Sequence, residues 1–290
     1  MALSSKEQEN IIKNKTIRAA SNRRTATKII VIVLIAALLI TGGAYGVMTY
    51  IDANTMLISI SDAKDGLALC ETPDFLEYTN NLDMNAPSSI DAYTYPWFNI
   101  QSNILGQDGA HHGAAYVAYS FYVKNISKTS TCKYNMGIRI IRDTKNISSA
   151  LRVLVIESDE NNLNEVSSSK VYGKAKSDGT SEYVSYDKCE KDQLGVSLEE
   201  LNASYALLNT NMATPFYGEL YDDDTNEDLG YYIMFEKDKR LTYSAYKKYT
   251  IVVWLEGTDL QCVNDIVGGK CSISTIFTVT EYEEPEYYGA

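Results

Sequence analysis

The chain has few of the residue patterns on which common catalytic and metal sites are built. Only two histidines, His111 and His112, and five cysteines occur in 290 residues, and no two cysteines have the Cys-x-x-Cys spacing. His-Glu-x-x-His, Gly-x-Ser-x-Gly and a glycine-rich phosphate loop are also missing from the sequence. These absences exclude the usual zinc-protease, serine-hydrolase and nucleotide-binding motifs. The sequence therefore predicts a protein that is not an enzyme.

The two histidines stand side by side between Gly109 and Gly113, just before a predicted strand. Adjacent residues of an extended segment point to opposite faces, so the pair cannot easily bind one metal ion. We interpret them as loop residues, and a metal pair is the alternative.

Only one long apolar run is present, and it lies near the N-terminus. Ile29–Ile51 contains no charged residue and follows Arg23, Arg24 and Lys28. As a helix these residues would extend roughly 34 Å, enough to cross a hydrocarbon core of about 30 Å. The sequence predicts a transmembrane helix over 29–51.

The distribution of charge predicts the orientation of that helix. Residues 1–28 carry seven Lys or Arg and two Glu, a net charge of +5, whereas the whole chain carries −12, so −17 is left for the remainder. The positive-inside rule keeps residues 1–28 in the cytoplasm as a basic tail and places the rest outside the cell. A charge of this sign disfavours nucleic acid and anionic lipid as partners.

A cleaved signal peptide is the alternative interpretation of this segment. Ile29–Ile40 is a short apolar core, and Thr41–Gly46 is rich in small residues. Apolar residues resume at Val47, however, and no clear Ala-x-Ala site follows. We predict an uncleaved anchor in the cell membrane, and a secreted matrix subunit is the alternative.

Residues 52–280 show the period-two alternation that is typical of strands. Val117, Tyr119, Phe121 and Val123, for example, share one face. The pattern predicts strands at Met56–Ile60, Tyr116–Val123, Met136–Ile140, Arg152–Ile156, Lys170–Ala175, Tyr231–Phe235, Tyr249–Leu255 and Ile273–Val279. Tyr249–Leu255 is apolar on both faces, which predicts a central strand.

Helical signals are few in the same region. Asn146–Leu151 and Asp259–Val267 predict one or two short helices, the second ending at Gly268 and Gly269. We expect one all-β sandwich domain over 52–280, followed by an acidic tail over 281–290.

All five cysteines follow the apolar run, on the side where disulfides form. Cys262 and Cys271 enclose a short loop between two predicted strands, and a bond between them would stabilise the domain by roughly 2.5 to 3 kcal/mol. The pair is therefore a candidate disulfide, and unpaired buried thiols are the other interpretation.

Two further features are candidate binding sites. Asp222, Asp224, Asn226 and Asp228 offer oxygen ligands for calcium, but Leu229 stands where the turn glycine of a calcium loop belongs, so a solvated hairpin tip is the other interpretation. No other cofactor is predicted. Trp97 follows a proline and could stack on a sugar or be buried, whereas Trp254 belongs to an apolar strand and is expected in the core.

Several segments resemble one group of envelope proteins. Ala44–Asp52, Ser120–Asn125, Ala150–Val153 and Tyr249–Gly257 are similar to segments of TasA and camelysin-type proteins of Gram-positive bacteria. The resemblance implies a jelly-roll-like sandwich that assembles on the cell surface. Five cysteines and an uncleaved anchor depart from a freely secreted fibre subunit. The metallopeptidase activity ascribed to camelysin has no matching ligand motif in this chain.

Together these observations predict a single-pass membrane protein that displays a β-sandwich at the cell surface in a structural role. Its partners would be the membrane, itself or other envelope proteins, with self-association through sheet edges or a strand near Thr49–Ile60. A carbohydrate- or ligand-binding surface module is the alternative, and an enzyme is the third.

Overall fold

The structure is a computed structural model, which describes residues 55–61, 66–85, 87, 89–92, 104–113, 115–184, 212–221 and 228–284. All of these belong to one compact unit, residues 53–290. The predicted basic tail and the predicted span Ile29–Ile51 lie outside the described residues. Within the described ranges, no helix has the length and apolar character needed to cross a membrane.

The described residues form thirteen strands and no α-helix, so the all-β prediction is confirmed. The strands are β1 Thr55–Ser61, β2 Leu67–Cys70, β3 Asn81–Asn85, β4 Gly109–Ala110, β5 Tyr116–Asn125, β6 Thr131–Asp143, β7 Leu151–Asp159, β8 Ser168–Gly173, β9 Thr214–Pro215, β10 Gly218–Tyr221, β11 Asp228–Leu241, β12 Tyr246–Leu255 and β13 Cys271–Glu283. Each of the eight strands expected from the sequence overlaps one of them.

The strands make two mixed sheets. One has the order β10-β11-β6-β13-β1-β3, and the other has the order β2-β5-β12-β7-β8-β9, with β4 also paired to β5. Most pairs are antiparallel, whereas β1 runs parallel to β13 and β8 runs parallel to β9. In the first sheet β1 lies between β13 and β3, so it is hydrogen-bonded on both sides within its own chain.

The two sheets face each other across the main apolar core. The ring of Phe121 on β5 meets that of Phe277 on β13, with 6.0 Å between centroids. The hydroxyls of Tyr134 on β6 and Tyr249 on β12 are 2.9 Å apart. Both contacts join one sheet to the other, as in a sandwich, and they form because alternate residues of these strands point inward.

Strand β12 is central, as its apolar sequence predicts, since it pairs with β5 on one side and β7 on the other. Its outer face is also buried, because a second apolar cluster that includes Ile104, Leu154 and Trp254 covers this sheet. The outer face of β5 is also largely buried, although the alternation led us to expect a half-buried strand: Ala118 belongs to the same cluster, and Tyr122 packs in a third cluster with Cys70 and Phe75.

The predicted helices are reduced to two 3-10 turns, Ile147–Ser149 and Asn264–Ile266. Asn146 precedes the first turn without a side-chain capping bond and adopts a left-handed conformation. At the C-terminus, β13 continues to Glu283, three residues into the segment that we predicted as an acidic tail.

Candidate functional site

A cavity of about 650 Å³ opens between the two sheets at one end of the sandwich. We call this the cavity end; β1, β5, β7 and β13 begin there, and β3 and β12 end there. Ligand pockets commonly have volumes of roughly 300 to 1,000 Å³. The walls are mostly apolar and include Met56, Met84, Val117, Leu151, Val253 and Ile273.

One side of the cavity is closed by the segment Glu256–Lys270, which we call the cavity loop. Successive backbone turns shape it: the amide of Cys262 donates to the carbonyl of Asp259 at 3.0 Å, and that of Gly269 donates to the carbonyl of Ile266 at 2.8 Å. Gly268 has a φ of 74°, which favours glycine. The loop is therefore built around its own hydrogen bonds.

A buried ion pair attaches the first part of the cavity loop to the sheet. Arg152 of β7 is 0% exposed, and its Nη2 donates to Oδ2 of Asp259 at 2.6 Å. The remaining guanidinium donors reach the carbonyls of Tyr183 at 2.9 Å and Leu151 at 3.1 Å. Removing one partner of such a pair leaves an uncompensated charge in the interior, so the pair strongly favours this position of the loop.

A second buried carboxylate supports the same part of the loop. Glu256 accepts hydrogen bonds from Nε1 of Trp254 at 3.0 Å and from the hydroxyl of Thr258 at 2.7 Å. Trp254 is fully buried, in agreement with its interpretation as a core residue. Its indole therefore helps to position the loop and is not exposed for sugar stacking.

The other end of the cavity loop is held by the turn after β6. The amide of Lys270 donates to Oγ1 of Thr144 at 2.7 Å, and Nζ of Lys145 donates to the carbonyl of Val267 at 2.5 Å. Lys145 and Asn146 are consecutive non-glycine residues with φ of 57° and 56°. Such conformations are unfavourable and often occur near functional sites, and here they lie beside the cavity.

Cys262 and Cys271 both line the cavity and are free thiols in the structure. The candidate disulfide between them is therefore not formed there, and the Thr144 and Lys145 contacts close the loop noncovalently instead. Burial raises the pKa of Cys271 to about 12 and also raises that of Cys262. Both sulfurs are protonated at neutral pH and act as small, weakly polar wall groups.

Three large apolar side chains of the cavity loop are exposed to solvent. Leu260 is 69% exposed, Val263 51% and Val267 67%. Val263 and Val267 also line the cavity. Apolar surface thus continues from the interior of the cavity to the outside of the molecule at this end.

The histidines take part in local backbone contacts. Nδ1 of His111 lies 2.9 Å from the carbonyl oxygen of Gly109, and the amide of Ala118 donates to Nδ1 of His112 at 3.3 Å. Burial lowers the pKa of His111. These contacts agree with the loop interpretation. Where the structure is described, it brings together no group of three or more His, Cys, Asp or Glu that could hold a metal ion.

The other predicted sites fall largely outside the described residues. Of the calcium candidates only Asp228 is described; it begins β11, and its Oδ1 accepts a hydrogen bond from the amide of Gly230 at 2.8 Å. Asp222, Asp224 and Asn226 lie outside the described ranges, as does Trp97. Calcium binding and stacking on Trp97 stay predictions.

The cavity was not predicted from the sequence. Its wall residues, such as Met56 and Val117, have the pattern of ordinary strand core residues. One signal was present, because Leu260, Val263 and Val267 are apolar residues in a loop between two strands. We assigned those residues to a short helix and made no prediction of their exposure.

Comparison with protein-family models and with curated proteins found no match for this chain. The resemblance to TasA and camelysin-type proteins therefore stays a prediction.

Proposed function

We propose that this chain is a membrane-anchored, non-enzymatic surface protein that displays its β-sandwich outside the cell. The observation that carries the proposal is the uncharged run Ile29–Ile51 behind a basic segment. That run is long enough to span a bilayer, and its flanking charges favour export of the chain that follows. The all-β unit after it is of a kind that extracellular proteins commonly display.

The polar interior of the sandwich supports a non-enzymatic role. Arg152 and Asp259 hold the cavity loop to its sheet. Nζ of Lys248, which is also buried, donates to the carbonyls of Leu105 and Gln107 and to Oδ1 of Asp108 at 2.8 to 3.0 Å. In each case the charged group attaches a loop to a strand. Buried charged side chains whose hydrogen bonds go to other parts of the protein are typical of structural contacts. Catalytic acids and bases, in contrast, face a substrate.

The predicted jelly-roll-like topology and the relationship to TasA-type proteins belong to this proposal. Two sheets packed face to face are compatible with both. Self-association is less well supported by the strands described here. β1 already pairs on both sides, and the strands at the sheet edges are short, since β3 has five residues, β2 and β10 have four each and β9 has two. Short edge strands disfavour edge-to-edge pairing.

The anchor is tested by the intact mass of the protein extracted from native membranes. We expect the full-length mass in the membrane fraction, resistant to carbonate washing. Leu34→Arg combined with Leu38→Arg should release the protein, because a charge at the centre of a span opposes insertion. The exposed position Leu76 provides the control, since Leu76→Arg should leave the protein in the membrane. A shortened mass in the medium, beginning after the apolar run, would instead establish a cleaved signal peptide.

A ligand-binding surface module is the second candidate, and the cavity at the end of the sandwich favours it. The lining is mainly apolar, which fits an apolar ligand better than a carbohydrate. The carbohydrate version depends on Trp97 and is tested by a glycan array. Binding that disappears in Trp97→Ala while the fold survives would support it, and no binding by the native protein would end it.

A further inference from the structure

We propose that the cavity accommodates the acyl chain of a lipid from the adjacent bilayer. This inference deepens the ligand-binding proposal and rests on the proposed membrane anchor. Three independent observations carry it: the chemistry of the cavity walls, the place of the cavity along the chain, and the exposed apolar residues at its mouth.

The walls suit a linear apolar chain. Met56, Val117 and Ile273 contribute aliphatic groups, and the two thiols are held in their protonated form. An acyl chain needs no hydrogen-bond partner, so burying it there leaves none of its own groups unpaired and is favoured by the hydrophobic effect.

The polar side chains of the lining are exposed or partly exposed and carry both signs of charge, with Asp91 and Lys270 among them. A lipid head group would stay in water beside these residues. The net charge of −17 beyond residue 28, together with charges of both signs here, favours a zwitterionic head over an anionic one.

The position of the cavity along the chain favours a lipid source. Met56 lines the cavity and lies five residues after Ile51, where the predicted span ends. A fully extended chain of that length reaches roughly 17 Å. If the span is anchored, this tether keeps the cavity wall at Met56 close to the membrane surface.

The mouth of the cavity has the surface expected for contact with lipid. Leu260, Val263 and Val267 are exposed apolar residues of one loop, and apolar side chains at a bilayer surface insert favourably among head groups and acyl chains. Because Val263 and Val267 also line the cavity, they connect its interior to the exposed apolar residues of the loop.

The test uses the full chain reconstituted in phosphatidylcholine nanodiscs that contain a phosphatidylcholine with a diazirine at the end of one acyl chain. After illumination, lipid adducts are mapped by mass spectrometry of peptides. We expect adducts on cavity-wall peptides, including the one that contains Cys262 and Cys271, as well as within the predicted span.

Two sets of variants separate a filled cavity from surface contact. Cys262→Phe combined with Cys271→Leu, which we call the filled variant, fills the cavity and should lower the yield of adducts on the cavity-wall peptides roughly tenfold, the loss expected when about two methylenes no longer fit. Ile141→Phe is the matched control for this variant, because Ile141 is an exposed residue of β6 outside the cavity lining. It should leave the yield of adducts on the cavity-wall peptides unchanged.

A second variant combines Leu260→Asp with Val267→Asp, which are both exposed positions of the cavity loop. Because these changes should not prevent folding, this variant still tests the proposal if the filled variant does not fold. It should lower wall adducts as well, whereas Leu76→Asp, at a position that is 83% exposed elsewhere on the sandwich, should not.

The outcomes distinguish this inference from the anchor on which it rests. Adducts confined to residues 29–51 would overturn the cavity proposal while supporting the anchor. Adducts on the cavity loop that are unchanged by the filled variant would reduce the interaction to surface contact and also overturn it. A protein that does not incorporate into nanodiscs, and yields no adducts at all, would overturn the anchor itself.

Discussion

The two ends of the sandwich are closed in different ways. At the end opposite the cavity, which we call the closed end, Nδ2 of Asn125 donates to the carbonyls of Ser130 and Leu241 at 2.8 and 2.9 Å, and its Oδ1 accepts from the amide of Ser127 at 2.9 Å. One buried amide thus joins the turn between β5 and β6 to the end of β11. At the cavity end, a loop is held at its edges and encloses apolar space.

The interior near the closed end is also polar. Lys239 of β11 contacts Glu157 of β7, and Tyr134 contacts Tyr249, so both pairs cross between the sheets. Buried polar groups of this kind need fixed partners, and satisfying them holds the two sheets at one spacing. Apolar walls impose no such requirement. Buried hydrogen bonds between the sheets therefore fix their spacing at the closed end, whereas the apolar walls at the other end leave a cavity between them.

The largest effect should come from breaking the ion pair that holds the cavity loop. Arg152→Met leaves Asp259 buried without its partner, and we expect a loss of about 3 to 5 kcal/mol in the free energy of unfolding, measured in urea. Arg240→Ala is the control, because that exposed ion pair with Glu283 should contribute less than about 1 kcal/mol. A cost for Arg152→Met no larger than that of the control would show that the pair does not support the cavity end.

A smaller loss is expected from opening the closed end. Asn125→Ala leaves two buried carbonyls without donors and should cost about 2 kcal/mol in urea unfolding. Asn162→Ala, at an exposed position, should be neutral within about 0.5 kcal/mol. Lipid adducts at the cavity should be unchanged by Asn125→Ala. If they fall as far as in the filled variant, the two ends are not independent.

The tyrosine pair between the sheets tests whether the polar interior is coupled. Tyr134→Phe and Tyr249→Phe should each cost about 1 kcal/mol, because each leaves one buried hydroxyl without its partner. The double variant should cost clearly less than the two single losses together, as a double-mutant cycle in urea would measure. Strict additivity would mean that the hydroxyl contact contributes no coupling.

The smallest effect concerns acid pH. Burial alone would raise the pKa of Glu236, but its hydrogen bond to Lys239 and the charges of Lys239 and Lys170 outweigh burial and hold that pKa below its usual value. The ionised carboxylate therefore stabilises the fold above about pH 4.5, and this contribution is lost as the pH falls below that value.

Between pH 7 and pH 4, the free energy of unfolding of Glu236→Gln should therefore fall by roughly 0.5 to 1 kcal/mol less than that of the native protein. Urea unfolding at the two pH values measures this difference. Glu165→Gln, at an exposed position, is the control and should lose as much as the native protein. Equal acid sensitivity in all three proteins would contradict the role of Glu236.

Long strands were readily predicted, and short ones were not. β5, β12 and β13 have enough alternating or apolar residues to indicate strands by themselves. β3, with the sequence Asn-Leu-Asp-Met-Asn, was not among the predicted strands, and β4 and β9 have two residues each. Such strands form because a neighbouring strand offers free backbone groups, and that information lies far away in the chain.

The sequence by itself determined the all-β class, the central place of β12 and the single apolar run with its basic flank. Each depends on properties of neighbouring residues: period, hydropathy and charge. Tertiary structure decided the cavity, the exposure of Leu260 and Val267, and the pairing of Arg152 with Asp259, 107 residues away. These features depend on which distant segments meet when the two sheets pack, and neither local period nor local charge specifies that meeting.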